Sequence, residues 1–231
     1  MFFKQNDIRI ILSSFPKSGS TYISNVLASQ KSFKRAILVK HFGHREQELD
    51  ESVIRKTKGN FISQTHTKYS DATKEIINKY NLKTIILIRN IYDCIVSFKD
   101  HISNESIIFP MFYMDHKLTN INNIDLALAK LLCPWYFSFY ASWQDYDNKI
   151  LIKYEELIIN EKKLFKKIFN FLNLDFSTYK PIQLDDQLKK NLRINKGVIG
   201  RGDELSPEAK EYIEDFAAYF PSYNMTEILH R

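Results

Sequence analysis

The sequence predicts an α/β protein in which a central, mostly parallel sheet is flanked by helices, and three observations lead there. A length of 231 residues fits one domain of that class. The opening segment reads as a strand, a glycine-containing loop and a helix. The run from Lys83 to Ile88 is apolar beyond its first two residues, as expected of a strand covered by helices on both faces. Residues 1–231 are therefore expected to form a single domain.

The first element, Ile8 to Ser14, is short, β-branched and apolar, and it stops at Phe15-Pro16, which marks a buried strand. After Gly19, the residues Tyr22, Ile23, Val26 and Leu27 follow helical spacing, with Ser20 and Thr21 as candidate caps for the first-turn amides. Asn60 to Gln64 predicts a second strand, followed by Thr65-His66-Thr67-Lys68, and Ser70-Asp71-Ala72-Thr73 opens a helix through Tyr80. The strand Lys83 to Ile88 stops at Arg89, and Tyr92 to His101 forms the next helix around Ile95, Val96 and Phe98. Ser103 to Asn123 is polar and aromatic without a period, and reads as a loop or short-helix insertion.

Asp125 to Tyr146 is an aromatic-rich helical region carrying Trp135, Tyr136, Phe139 and Trp143, with Pro134 marking a kink or boundary. Ile150 to Tyr154 predicts another strand, and Glu161 to Leu172 an amphipathic helix built on Leu164, Phe165, Ile168, Phe169 and Leu172. Lys189 to Asp203 is basic and contains glycine. Ser206-Pro207-Glu208 then starts a last helix, with serine at the cap and proline just inside. There is no internal repeat and no low-complexity linker.

With 44% hydrophobic and 26% charged residues, the composition supports a packed core and excludes a disordered or fibrous chain. No window reaches the roughly 18 uninterrupted apolar residues of a membrane span. Lys4, Asp7 and Arg9 occupy positions where an export signal needs apolar side chains. Cys94 and Cys133 form no CxxC pair, so neither a disulfide framework nor a cysteine zinc site is indicated and a cytoplasmic location is expected. The net charge of +6 points to an anionic partner. Charge alone leaves nucleic acid, a phosphate-rich ligand and an acidic lipid surface as alternatives.

A strand that ends in a tight loop and launches a helix aims free backbone amides and the positive helix end at one spot, which makes an anion site. Here the loop is Pro16-Lys17-Ser18-Gly19-Ser20-Thr21: Lys17 adds a full charge, Gly19 permits close approach, and Ser18, Ser20 and Thr21 bring hydroxyls. It is not a Walker A loop, in which the lysine follows the second glycine. The lysine-first order resembles the 5′-phosphosulfate loop of the sulfotransferases, PKSGTTW; with Tyr22 in the aromatic position, five of its seven positions match.

A second segment is similar to the same family's 3′-phosphate motif, RNPxDxxVSF: Arg89-Asn90-Ile91-Tyr92-Asp93-Cys94-Ile95-Val96-Ser97-Phe98, with Ile91 in place of proline. Arg89 sits at a strand end, where α/β sheets present their ligand crevice, and offers a fork of donors. Asn195-Lys196-Gly197-Val198-Ile199-Gly200 resembles the RKGxxGDW loop, with Asn195 in place of arginine and Arg193 as an alternative basic contact. Tyr154-Glu155-Glu156-Leu157 resembles the YEDL segment, whose tyrosine helps hold the nucleotide.

The resemblance implies a P-loop NTPase-like sulfotransferase fold and a sulfuryl donor, 3′-phosphoadenosine 5′-phosphosulfate (PAPS), that leaves as 3′-phosphoadenosine 5′-phosphate (PAP). It implies nucleotide binding by Lys17, Ser18, Gly19, Ser20, Thr21, Tyr22, Arg89, Ser97, Tyr154, Lys196 and Gly197, with no metal required. Sulfuryl transfer is an in-line displacement, so a protein mainly positions the reactants and stabilises charge on the leaving group, which suits Lys17. His66, in Gln64-Thr65-His66, resembles the family's KTH segment, whose histidine is the catalytic base.

His41 and His44 are rival bases, as are the carboxylates Glu46 and Glu48; His101 and His116 fall where an acceptor pocket is expected, and His230 lies in the tail. The acceptor is expected to be a small molecule, lipid or glycan rather than nucleic acid. It would be gripped by the segments Lys31 to Gly59 and Ser103 to Asn123. Two other classes of function compete: a nucleotide or small-molecule kinase on the same architecture, and a non-enzymatic basic module that binds polyanions.

Overall fold

The computed structural model describes residues 7–30, 33–40, 48–104, 108–109, 112–113, 122–183, 187 and 197–229. Five strands form a parallel sheet: β1 (Arg9–Ser14), β2 (Lys34–Ala36), β3 (Phe61–Thr65), β4 (Lys83–Ile88) and β7 (Lys149–Lys153), in the order β2-β3-β1-β4-β7. The α/β class and the parallel central sheet are as the sequence predicts. Between β4 and β7, Ile108–Phe109 (β5) and Phe112–Tyr113 (β6) pair as a small antiparallel hairpin, within a region read from sequence as a loop or short helix.

The chain adds β2 and β3 on one side of β1 and then β4 and β7 on the other. The strand order therefore reverses at β1, and ligands of open α/β sheets bind at such a point, beyond the carboxyl ends of the strands. Parallel pairing aligns those ends, with Ser13 of β1 opposite Thr65 of β3 and Ile86 of β4.

The helices are α1 (Ser20–Ser29), α2 (Glu51–Lys56), α3 (Asp71–Tyr80), α4 (Ile91–Asn104), α5 (Ile124–Gln144), α6 (Tyr154–Phe171), α7 (Pro207–Ala217) and α8 (Thr226–Leu229). Strand alternation divides them between two cores. Ile10, Leu12, Ile85 and Leu87 face α1 and α6, whereas Ile11, Ile86 and Ile88 face a larger aromatic core shared by α3, α4, α5, α7 and α8. The helices cover both faces, which is why Thr84 to Ile88 are all buried and the run reads as continuously apolar.

Three local expectations change. Neither Ser20 nor Thr21 caps α1; its N-cap is Gly19, in a left-handed conformation at φ 83°, with no side-chain cap. Pro134 does not end α5, which runs through it; Pro134 and Lys130, whose carbonyl the ring leaves without its helical donor, are both exposed. Tyr154 leaves β7 and opens α6, which continues to Phe171 across a non-helical Asn160 at φ −156°. Asn160 Oδ1 accepts from the Lys163 amide at 2.9 Å, so the predicted start at Glu161 corresponds to a capped second segment. Ser206 caps α7 with Pro207 just inside, as expected.

Candidate active site

Four of the residues singled out in the sequence follow the carboxyl ends of four adjacent strands. Lys17 comes after β1, His66 after β3, Arg89 after β4 and Tyr154 after β7. Topology alone therefore gathers four distant segments at one edge of the sheet.

The loop after β1 is held from several sides. Tyr136 donates its hydroxyl hydrogen to the Pro16 carbonyl at 3.1 Å, and Ser18 Oγ donates to the Phe15 carbonyl at 2.5 Å. Lys17 and Gly19 both take positive φ, at 65° and 83°. A Cβ at Gly19 would lie 3.0 Å from Cδ2 of Tyr154, so only glycine lets that ring close over the loop. Gln64 Nε2 donates to Ser20 Oγ at 2.8 Å and to Thr21 Oγ1 at 3.3 Å, tying the start of α1 to β3. Tyr22 points into the α1–α6 core, where its hydroxyl donates to Glu161 at 2.9 Å; burial and that carboxylate push its phenol up.

Arg89 is 4% exposed and lies at the centre of the arrangement. Its Nη1 donates to the Lys17 carbonyl at 2.9 Å and its Nη2 to the Val198 carbonyl at 3.2 Å. The Tyr154 ring centre lies 4.1 Å from the guanidinium carbon, a cation–π stack, and burial pushes the Tyr154 phenol up against the opposing pull of Arg89. Among the described residues, no hydrogen-bond partner meets the buried Arg89 Nε–H. An orphaned guanidinium donor beside the positive end of a helix and a glycine loop fits an anionic ligand with phosphate-like oxygens.

Asp93 completes the arrangement. Its carboxylate is 3.7 Å from Arg89 Nη2, and it accepts the amides of Gly200 at 3.0 Å and Gly202 at 2.7 Å. A Cβ at Gly202 would stand 2.5 Å from Cβ of Tyr92, so this loop meets α4 at backbone distance. Asp93 thus carries the carboxy-terminal loop to Arg89. The sequence offers Asp93 only as the acidic position of the RNPxDxxVSF-like segment. Asn90 and Glu155 were also missed: Asn90 Oδ1 accepts the Asp93 amide at 3.1 Å, and Glu155 Oε1 accepts the Asn90 amide at 2.9 Å. A cleft of 360 Å³ borders these residues, lined among others by Asn90, Asp93, Glu155, Ile199 and Gly200.

Ser97 is buried in α4, the helix that packs on the 3₁₀ turn Arg201–Glu204. Gly197 directly precedes Val198, whose carbonyl meets Arg89. Lys196, Arg193, His41, His44, Glu46, His116 and His230 lie outside the described residues. Glu48 is engaged with Thr73 Oγ1 at 2.6 Å and Ser70 Oγ at 3.1 Å, and His101 is buried against Phe98.

His66 is partly exposed. Its Nδ1 lies 2.8 Å from the Ser14 carbonyl oxygen and 3.3 Å from Ser14 Oγ. A carbonyl only accepts, so Nδ1 bears the hydrogen, and in the neutral ring Nε2 carries the lone pair. That is the tautomer a base working through Nε2 requires. The ring meets Trp135 of α5 edge-on, with centroids 6.4 Å apart.

The family model described as "Sulfotransferase domain" matches residues 7–195. No curated protein matches the chain. Solved structures share its fold. The mouse sulfotransferase SULT7A1 complexed with PAP superposes with a TM-score of 0.66 at 17% identity, covering 99% of this chain and 88% of that one. Retinol dehydratase in complex with androsterone and PAP gives 0.62 at 14% identity, over 90% of this chain and 80% of that one. The sulfotransferase domain from the curacin biosynthetic pathway gives 0.57 at 16% identity, over 96% and 99%.

Proposed function

The chain belongs to the sulfotransferase family, and from that premise we propose that residues 1–231 act as one cytoplasmic domain that transfers a sulfuryl group from PAPS to a hydroxyl or amino group. The observation that carries the reading is the contact of Arg89 with the Lys17 carbonyl. It joins the segment that resembles a 5′-phosphosulfate loop to the segment that resembles a 3′-phosphate motif, as one nucleotide with phosphates at both ends requires. The PAP present in the mouse SULT7A1 and retinol dehydratase complexes supports the same donor. Among the described residues no helix is long and apolar enough to cross a membrane.

Bound PAPS would supply the sulfuryl group: an S–O bond to a hydroxyl acceptor, or an S–N bond to an amine, forms as the S–O bond to the 5′-phosphate breaks. The chain's residues do the rest without a required metal. The amides at the start of α1, with Ser20 and Thr21, hold the 5′-phosphate, and the Lys17 ammonium stabilises the charge that this group gains as it leaves. Arg89, Ser97, Lys196 and Gly197 hold the 3′-phosphate. The Tyr154 ring walls the crevice between them, while Ser18 and Tyr22 keep the loop and α1 in place through the Phe15 carbonyl and Glu161. His66 takes the acceptor's proton on Nε2, its Nδ1–H kept on the Ser14 carbonyl so that the tautomer is preserved.

Thermal-shift measurement tests the reading. Micromolar PAP should raise the melting temperature, and ATP with magnesium should do so far less. Equal stabilisation by the two would favour a kinase and overturn the proposal.

A further inference from the structure

Lys68 lies two residues beyond His66, in the connection from β3 to α3. Its ammonium donates to Ser138 Oγ at 3.0 Å and stands 5.8 Å from the centre of the Trp135 ring. His66 meets that same indole edge-on at 6.4 Å. One half-buried tryptophan therefore has the base proposed above and a lysine as common neighbours.

The electrostatics of this lysine are unusual for the molecule. Lys99 is paired with Asp125 at 2.7 Å and Lys79 with Glu51 at 2.8 Å. Lys68 is partly buried, yet among the described residues no carboxylate pairs with it, and burial alone pushes its ammonium down. Desolvating a cation against a hydroxyl and a ring, with no counter-charge, is a poor arrangement for stability. It becomes favourable when an anion arrives, because a charge-assisted contact in a partly dry site is strong.

We infer that Lys68 is an acceptor-recognition residue, and that the acceptor carries an anionic group in addition to its nucleophilic hydroxyl or amine, the two set apart by a body that spans the Trp135 ring. The inference rests on the sulfuryl-transfer reading and narrows it: acidic acceptors are selected over neutral ones of the same shape. Carboxylate and sulfonate share the required chemistry.

The test loads the wild-type protein with PAP and titrates it by calorimetry with p-cresol, 4-hydroxyphenylacetate and 4-hydroxybenzenesulfonate. At least one anionic phenol should bind about 10- to 100-fold more tightly than p-cresol, the range of a hydrogen bond to a charged group; which of the two does so separates carboxylate from sulfonate recognition. Lys68→Met should bring that ratio close to one and Lys68→Arg should keep most of it, while both variants retain the thermal stabilisation by PAP. A PAP-loaded wild-type protein that binds neither anion more tightly than p-cresol overturns the inference, without need of any variant, as does a Lys68→Met protein that keeps the ratio. If PAP itself fails to stabilise the protein, the sulfuryl-transfer reading falls first and this one with it.

Discussion

The guanidinium of Arg89 donates to the backbone carbonyl of Lys17, 72 residues earlier in the chain, at 2.9 Å. The bond makes the arginine a structural member of the loop after β1, and its buried Nε–H has no partner among the described residues. Replacing Arg89 with Ala should therefore weaken PAP binding by about 10- to 100-fold, the range of a charge-assisted hydrogen bond. Arg89→Lys should recover little, because an ammonium cannot reproduce the fork that reaches Lys17 and Val198 together. Thermal shift against PAP concentration reads both.

Lys17→Ala should separate binding from chemistry. PAP-dependent stabilisation should fall, and turnover should fall further, by about 3 kcal/mol of barrier, as for other preorganised donors to a developing negative charge. Single-turnover kinetics at saturating donor provide the measurement.

His66→Ala should leave PAP binding close to wild type and cut turnover by about 10² to 10⁴-fold, the usual contribution of a positioned base. The Ser14 carbonyl that fixes its tautomer is backbone, so no side-chain change can supply the same anchor from another position. An unchanged rate would move the base to another group.

Gly19→Ala tests the loop itself. A Cβ would sit 3.0 Å from the Tyr154 ring, on a backbone at φ 83°. The left-handed conformation should cost about 1–3 kcal/mol in urea unfolding, and displacement of the Tyr154 ring should weaken PAP binding alongside.

Asp93→Ala leaves the amides of Gly200 and Gly202 without their acceptor and removes the buried carboxylate beside Arg89. Loss of about 3–5 kcal/mol of stability is expected. Hydrogen exchange should speed up at residues 200 and 202 before the sheet amides respond. Asp93→Asn, which keeps one acceptor oxygen, should be milder.

Most of the fold is legible from local pattern. Lys83–Ile88 is a continuous apolar run because helices cover both faces, and the cap and proline of α7 are local devices visible in Ser206-Pro207. What escaped pattern reading is long-range. Pro134 passes through α5 because its unpaired carbonyl partner is exposed, which no local rule reveals, and Tyr154 joins a helix because α6 extends ahead of the capped Asn160. In the site, motif residues such as Arg89 and Lys17 are recognisable singly. The roles of Asp93, Gln64 and Lys68 depend on partners 43 to 109 residues away, and only Asp93, through its motif position, left a signal in the sequence.

The Val198 carbonyl that finishes the grip on Arg89 arrives 109 residues after it, when all five strands of the sheet have already been made. A chain cut short before residue 198 would thus carry every strand of the sheet and still lack one of the two carbonyls to which Arg89 donates.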